Sequence, residues 1–160
     1  MIRIWNKETS MKTIREIVGS REAYAVEPDM TIRAAVKYLC DRKIGAVAVC
    51  DEQRHVVGVF SERDLLRRVI NKDLDPEQTL IRDVMSEGVV HVGIDEPHYV
   101  ARNLMLGQNF RHLVVLDVDE SFKGFVSIRE LIEVDLKESK ELIHKLNDDY
   151  YEEQFKPDPR

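Results

Sequence analysis

The sequence lacks the features that mark several common protein classes. No apolar run in its 160 residues approaches the roughly 20 residues of a membrane-spanning helix, so we expect no membrane association. The first residues, Met1–Trp5, lack the apolar stretch of a secretion signal. The sequence therefore predicts a cytoplasmic protein.

Clusters of metal-binding side chains are also missing. Cys40 and Cys50 match no metal-binding spacing, and we expect both to be free thiols that serve in packing. The five histidines are dispersed, without the paired spacing of a zinc site. The net charge of −6 lacks the basic excess of a protein that binds nucleic acid. We therefore expect neither a metal cofactor nor a nucleic-acid partner.

The sequence has no phrase typical of a common enzyme. It contains no nucleophile-elbow phrase and no Walker loop, so no nucleophile, base and orienting group can be assigned around Ser61, Asp64 or His112. We therefore expect a protein that is not an enzyme. Ligand-dependent turnover of ATP would contradict this.

What the sequence does contain is a duplication of itself. Residues 26–66 align without a gap on residues 92–132 at a constant offset of 66, with nine identities. Several identities bracket one seven-residue phrase, Gly-x-x-Ser-x-Arg-(Asp/Glu), which begins at Gly58 and again at Gly124. A repeat longer than about 50 residues that occurs twice is typical of a duplicated small domain. Function is therefore expected between the two repeats.

Each repeat predicts the same order of elements, β-α-β-β-α, preceded by a short amphipathic stretch. Apolar residues at helical spacing predict a helix of about ten residues in each repeat, one after Thr31 and one with Pro97 at its first position. Apolar strands follow at 46–50 and 113–116, and each leads through an acidic turn into a second strand. The repeated phrase then begins a second helix.

Two such units predict an α/β fold of the α+β type. A three-stranded sheet with helices on one face leaves apolar surface uncovered, so the units are expected to pack sheet against sheet about a pseudo-twofold axis. The predicted divisions are an N-terminal arm (1–10), the first repeat (11–74), the second repeat (75–136) and a C-terminal helix with an acidic tail (137–160).

The C-terminal region predicts a further, separate amphipathic helix over residues 139–147, with Leu142, Ile143 and Leu146 on one face. We expect this helix to pack on the two repeats or on a dimer mate; docking of another protein is the alternative. The end from Lys156 onward is expected to be disordered.

The repeated phrase has two interpretations from its residues alone. A serine followed three residues later by an acid has the spacing of a capping box. The same turn can also hold a ligand, because a helix start and an arginine attract phosphate and a carboxylate can bind ribose. The residues are Ser61, Arg63 and Asp64 in the first repeat and Ser127, Arg129 and Glu130 in the second.

Three phrases in this order resemble the cystathionine-β-synthase (CBS) domain family, as a tandem pair often called a Bateman module. They are Val-x-Pro-Asp-x-Thr from Val26, Phe110-Arg111-His112-Leu113-Val114-Val115, and the repeated Gly-x-x-Ser-x-Arg-(Asp/Glu)-Leu. The resemblance implies a non-catalytic regulatory module that binds an adenine nucleotide, such as AMP, ADP, ATP or NAD, and signals to a separate effector enzyme or transporter. It also implies a homodimer that associates through helices. The alternative is a dimerisation scaffold whose nucleotide sites have decayed.

The resemblance further implies two clefts between the repeats. In the first, the basic pair Arg111–His112 and the second turn bind phosphate and ribose, while the first repeat surrounds the base. The residues implied for the first cleft are Arg111, His112, Ser127, Arg129, Glu130, Thr31, Ala35, Gly45 and Ala46. Those implied for the second are Ser61, Arg63 and Asp64, with Pro97, Ala101 and the backbone near Arg111.

Both clefts depart from the family pattern. Glu130 carries its carboxylate further out than an aspartate would, and Gly45–Ala46 stand where a second basic pair is expected. Arg42 and Lys43, just upstream, are interpreted as a solvated helix end, with phosphate binding as the alternative. We expect the first cleft to be favoured, because it has both Arg111 and His112.

Overall fold

The computed structural model describes residues 11–154, with side chains through Tyr150. The predicted N-terminal arm and the predicted disordered end lie outside the described residues. Within the described range, both repeats form the predicted β-α-β-β-α order, which confirms the fold class.

The elements of the two repeats correspond one to one. The first comprises α1 (Ile14–Val18), β1 (Ala25–Val26), α2 (Ile32–Arg42), β2 (Ala46–Cys50), β3 (Val56–Ser61) and α3 (Glu62–Asp64), which continues as a π-helical turn (Leu65–Val69) and a 3₁₀ turn (Ile70–Lys72). The second comprises a 3₁₀ turn (Ile81–Asp83), β4 (His91–Gly93), α4 (His98–Gln108), β5 (His112–Leu116), β6 (Phe122–Ser127) and α5 (Ile128–Gln154). Pro97 is the residue before α4 and not its first residue.

Each repeat builds one three-stranded sheet with the same topology. The first strand runs parallel to the second, and the second runs antiparallel to the third. The β2–β3 ladder has an irregularity after Val49, and the β5–β6 ladder has the same irregularity after Val115. The duplication seen in the sequence therefore extends to local features of the backbone.

The two sheets pack against each other through a buried apolar cluster. Ala48 and Cys50 of β2 lie in this cluster with Val114 of β5 and Phe122 of β6. Burial raises the pKa of the Cys50 thiol, which suits a packing role. The predicted packing of sheet against sheet is confirmed.

The first helical segment of each repeat packs into the core of the other repeat. Ile14 and Val18 of α1 lie in the core of the second repeat, whereas Ile81 and Val84 lie in the core of the first. The Ile14 amide also donates to the Glu96 carbonyl oxygen at 2.9 Å. The two repeats are therefore interlocked through the short amphipathic stretches that the sequence predicts.

The C-terminal helix differs from the prediction. The last helix of the second repeat and the separate helix at 139–147 are one continuous helix, α5, of 27 residues. Lys137 and Glu138 join the two parts because both residues favour helix and neither glycine nor proline interrupts them. Every residue from Ser139 to Tyr150 is exposed, so this part of α5 does not pack on the two repeats.

A buried histidine anchors the first turns of α5. His98 of α4 is 2% exposed, and its Nε2 lies 2.9 Å from the Asp135 carboxylate of α5. Its Nδ1 lies 3.0 Å from the Lys12 carbonyl oxygen. Arg102 donates to the same Asp135 carboxylate at 2.6 Å. These contacts fasten α5 to α4 and to the N-terminal segment.

The described part of the chain contains neither a membrane-spanning helix nor a cluster of metal-binding side chains. None of the helices within residues 11–154 combines the length and the apolarity required to cross a membrane. Over the same residues, no three histidine, cysteine, aspartate or glutamate side chains converge as a metal site would require.

The glycine of the repeated phrase marks a close approach between β3 and the segment of the second repeat that precedes β4. A methyl group at Gly58 would lie 2.5 Å from the Met85 sulfur and 3.2 Å from the Ser86 carbonyl oxygen. Gly58→Ala is therefore expected to lower the free energy of unfolding by about 1–3 kcal/mol, measured by urea unfolding.

Gly107, inside α4, is the matched control for this substitution. A methyl group at Gly107 would meet nothing within 4 Å. Gly107→Ala is expected to raise the free energy of unfolding by about 0.5–1 kcal/mol, because alanine favours helix over glycine. Equal stability of the two variants would contradict the close approach at Gly58.

Candidate functional site

A cavity of about 910 Å³ lies between the two repeats. The first repeat contributes Gly45 and Ala46 at the start of β2 and the turn Ser61–Asp64 after β3. The second repeat contributes residues 109–114, which lead into β5, and residues 123–125 of β6. The volume lies within the range of about 300–1,000 Å³ that is usual for small-molecule sites.

Basic side chains without a partner in residues 11–150 line one side of this cavity. Arg111 and His112 stand at the start of β5, and both are exposed. The Arg111 carbonyl accepts from the Ile128 amide at 2.9 Å, which ties this loop to the start of α5. Within residues 11–150, the side chains of Arg111, His112 and Arg63 have no hydrogen bond or ion pair. They are therefore available to an anionic group.

The turn of the first repeat forms the capping box that its spacing predicts. The Ser61 amide donates to the Asp64 carboxylate at 3.0 Å, and the Asp64 amide donates to Ser61 Oγ at 3.4 Å. The Glu62 amide donates to the Gly45 carbonyl oxygen at 3.0 Å. Because these amides are already bonded, fewer free amides remain at the helix start to bind a phosphate than the sequence suggested. The arginine side chains therefore matter more for phosphate binding.

The Asp64 carboxylate is buried and well supplied with donors. Asp64 is 8% exposed, and its Oδ2 also accepts from the Ser61 hydroxyl at 2.6 Å. Its Oδ1 accepts from the Ser86 hydroxyl at 3.1 Å and lies 3.5 Å from the Arg68 guanidinium. Asp64 thus connects the end of β3, the helical segment after it and the segment of the second repeat that precedes β4.

The turn of the second repeat forms the same capping box but has an additional partner. Glu130 accepts from the Ser127 amide at 2.9 Å and from the Ser127 hydroxyl at 2.8 Å. Its other carboxylate oxygen is ion-paired with Arg21 from the N-terminal segment. Partial burial acts to raise the Glu130 pKa, but the hydrogen bonds from Ser127 and Arg21 outweigh it, so the pKa is lowered.

The lowered pKa of Glu130 predicts a stability effect that depends on pH. The ionised carboxylate stabilises the fold above the pKa of the unfolded chain, and this contribution is lost as the pH falls through the folded pKa. Glu130→Gln is expected to lower the free energy of unfolding by about 0.5–1.5 kcal/mol near neutral pH, and by less in acid. Urea unfolding at both pH values measures this.

Glu133→Gln is the control for Glu130→Gln. Glu133 pairs with Arg129 on the surface of α5, and its side chain is 61% exposed. Its removal is expected to change the stability little at either pH. A pH-independent loss in Glu130→Gln would mean that the carboxylate charge does not contribute.

Five of the twelve predicted site residues do not line the cavity. Thr31 caps α2 by accepting from the Ala34 amide at 3.3 Å, and Ala35 is fully buried in the core of the first repeat. Arg129 is 87% exposed and pairs with Glu133. The other two are Ser127 and Glu130. The remaining seven line the cavity: Gly45, Ala46, Ser61, Arg63, Asp64, Arg111 and His112.

The cavity groups these residues differently from the two expected clefts. It joins the basic pair Arg111–His112 of the first expected cleft with the turn Ser61–Asp64 of the second. Arg21 lines the cavity, and its guanidinium forms an ion pair with the Glu130 carboxylate. Pro97 precedes α4 and Ala101 is fully buried, and neither lines the cavity.

Arg42, which the sequence places at a solvated helix end, stacks on aromatic side chains and is therefore not free to bind phosphate. Its guanidinium carbon lies 3.6 Å from the centre of the Tyr38 ring and 5.6 Å from that of Tyr24. Such stacking is a cation–π interaction. Lys43 ends α2 in a left-handed conformation, with φ 55°.

Sequence reasoning missed several cavity residues. Phe110 is 40% exposed and lines the cavity, where an aromatic ring can stack on a planar ligand. It belongs to the phrase that carries the family resemblance, but only its charged neighbours were given roles. Lys123 was missed because its counterpart in the first repeat, Val57, is uncharged. Residues 86–90 lie between the 3₁₀ turn and β4 of the second repeat, outside the segments that align without a gap.

Comparison with known proteins gives one consistent family. The sequence model of the CBS domain matches residues 14–71 and 81–137. An uncharacterized 17.7 kDa protein of Acidianus ambivalens is 32% identical over 114 residues, which cover 71% of this chain and 68% of the relative. The magnesium transporter MgtE of Enterococcus faecalis is 33% identical over 124 residues, which cover 73% of this chain and 25% of the transporter. Two further relatives are matched over 60% and 59% of their lengths.

A solved structure has the same fold. The CBS domain protein of Pyrobaculum aerophilum complexed with AMP superposes with a TM-score of 0.70 and 25% sequence identity. The superposition covers 81% of this chain and 99% of that chain.

Proposed function

Because the chain belongs to the CBS domain family, we propose that it is a regulatory module that binds an adenine nucleotide in the cavity between its two repeats. One observation carries this proposal: the unpaired Arg111 and His112 face the same cavity as the Ser61–Asp64 turn of the other repeat. The AMP in the Pyrobaculum aerophilum protein supports this class of ligand.

Each part of a nucleotide has a matching group in the cavity. Arg111 and His112 bind the phosphate, because a guanidinium forms charge-assisted hydrogen bonds with phosphate oxygens. The exposed ring of Phe110 stacks on the adenine. The Asp64 carboxylate accepts from the ribose in place of the Ser86 hydroxyl, which now lies 3.1 Å from Oδ1. AMP, ADP, ATP and NAD all carry these three parts.

Binding transmits a signal because the ligand contacts both repeats. A nucleotide held by Arg111 and Asp64 favours one relative orientation of the repeats, and a partner that distinguishes the orientations reads its presence. The partner proposed is an effector enzyme or a transporter, and the role is not catalytic. The match to part of a magnesium transporter supports the transporter as a partner class. We also propose that the chain acts as a homodimer.

A second candidate function is a dimerisation scaffold with degenerate nucleotide sites. The observation that favours it is the internal use of both acidic side chains. Asp64 is bonded to Ser61 and Ser86, and Glu130 is bonded to Ser127 and Arg21. In a scaffold these contacts would be permanent.

Thermal unfolding of the full chain with AMP, ADP, ATP, NAD and S-adenosylmethionine distinguishes the two candidates. A ligand at about 100 times its Kd adds about 2.7 kcal/mol to the stability, which raises the Tm by several degrees. We expect this rise with at least one of the adenine compounds. If none of them moves the Tm at millimolar concentration, the scaffold is the better description.

A further inference from the structure

The second half of α5, residues 139–150, does not pack on the two repeats as described in residues 11–138. α5 continues to Gln154, whereas the family match ends at residue 137. All residues from Ser139 to Tyr150 are exposed on every side of the helix, including Leu142, Ile143 and Leu146. A helix without tertiary packing is marginally stable in water, and its stability comes from an apolar face that is buried. This segment therefore needs a surface to pack on.

The exposed apolar residues of α5 follow a heptad spacing that one serine, Ser139, interrupts. Successive members are separated by four and three residues in alternation, which is the a/d pattern of a two-stranded coiled coil. The series is Ile132, Leu136, Ser139, Ile143, Leu146 and Tyr150. The apolar members between Ile132 and Leu146 are 45–59% exposed. The series begins on the part of α5 that is fixed to the two repeats.

The remaining heptad positions agree with this assignment. With Leu136 and Ile143 at position a, the outward positions b, c and f from residue 137 onward are all polar. They are Lys137, Glu138, Glu141, His144, Lys145 and Asp148. Leu142 falls at position g, beside the row of a and d residues (the seam), and adds to the width of this apolar row. From Leu136 to Tyr150, one face of the helix is therefore apolar except at Ser139, and the opposite face is hydrophilic.

We propose that α5 pairs with α5 of a second subunit as a parallel, two-stranded coiled coil over residues 132–150. This inference rests on the proposed homodimer and identifies its interface. A second copy suits the seam because a heptad stripe is complementary to itself about a twofold axis. Ile143 at position a and Leu146 at position d are the combination that favours two strands in parallel.

Charge at the edges of the seam decides the direction of the pair. In the parallel arrangement, Asp135 at position g lies beside Lys140 of the partner subunit at position e, and its carboxylate can keep its contacts with His98 and Arg102. By symmetry, opposite charges then meet twice. In the antiparallel arrangement with the seams aligned, Lys140 lies beside Lys140 of the partner subunit. Asp135 then also lies beside Asp149 of the partner subunit. Like charges that face each other across a coiled coil disfavour that pairing.

Sedimentation of the full chain without nucleotide tests the pairing. We expect a mass of about 37 kDa, twice the 18.6 kDa of one chain. The double variant I143Q/L146Q is expected to raise the dimer dissociation constant by about 100-fold or more, since it places four polar amides in the seam. The control E141Q/K145Q also introduces two glutamines and keeps the net charge, but on the outward face, and is expected to leave the constant unchanged.

Disulfide trapping tests the direction of the helices. Ser139→Cys in a Cys40→Ser background places two thiols at facing d positions, close enough to form a disulfide on oxidation. Lys145→Cys, on the outward face, is expected to give no cross-link. A monomeric wild-type chain, a dimer that I143Q/L146Q does not weaken, or equal cross-linking at both positions would overturn the proposal. None of these measurements involves a nucleotide, so they are independent of whether the cavity binds one.

Discussion

Replacing Arg111 by alanine is expected to weaken AMP binding by about 10- to 100-fold, the equivalent of one charge-assisted hydrogen bond to phosphate. Arg111 stands at the mouth of the cavity and has no partner within residues 11–150, so its guanidinium gives up no contact when it binds an anion. For the same reason, the free energy of unfolding is expected to change by less than about 0.5 kcal/mol. Calorimetric titration with AMP and urea unfolding measure the two quantities.

Arg129→Ala is the matched control for Arg111→Ala. Both arginines were site candidates, but Arg129 is 87% exposed, pairs with Glu133 and lies outside the cavity. Its removal is expected to leave the AMP affinity unchanged. If Arg129→Ala weakens binding and Arg111→Ala does not, the phosphate lies in the second turn and not in the central cavity.

Replacing Asp64 by alanine is expected to lower the free energy of unfolding by about 2–4 kcal/mol. The substitution removes the acceptor for the Ser61 amide and for the hydroxyls of Ser61 and Ser86, and it leaves Arg68 without its carboxylate. Loss of the cap costs about 0.5–2 kcal/mol, and buried donors left without a partner cost more. Urea unfolding near neutral pH measures the change.

Two further aspartate variants separate the contributions at this position. Asp64→Asn keeps an acceptor for the Ser61 amide and is expected to recover part of the lost stability. Asp41→Ala removes an exposed aspartate that pairs with Lys37 on α2, and is expected to cost less than about 0.5 kcal/mol. If Asp64→Ala is as stable as Asp41→Ala, the buried network does not hold the β3 turn to the second repeat.

The order of the elements was predictable because it is local. The capping boxes at Ser61 and Ser127 and the hairpin turns depend on residues within a few positions of one another. The duplication supplied a second, independent instance of each pattern. Local chemistry repeated at a constant offset is therefore sufficient to predict the sheets and the helices that begin at these turns.

The composition of the cavity was less predictable because it depends on contacts between distant segments. Arg21 is 109 residues from Glu130 in sequence, and nothing in either phrase indicates their ion pair. The first helical segment of each repeat packs on the other repeat, so Ile14 lies in the core of the second repeat and Ile81 in the core of the first. Apolar periodicity finds such a helix but does not say which core receives it.

A crystal structure of the full chain grown with saturating AMP would show directly whether the cavity between the repeats binds an adenine nucleotide. We expect one AMP in this cavity, with its phosphate on Arg111 and His112 and its base against Phe110. An empty cavity at saturating AMP, or an AMP bound only elsewhere on the chain, would mean that this cavity is not a nucleotide site.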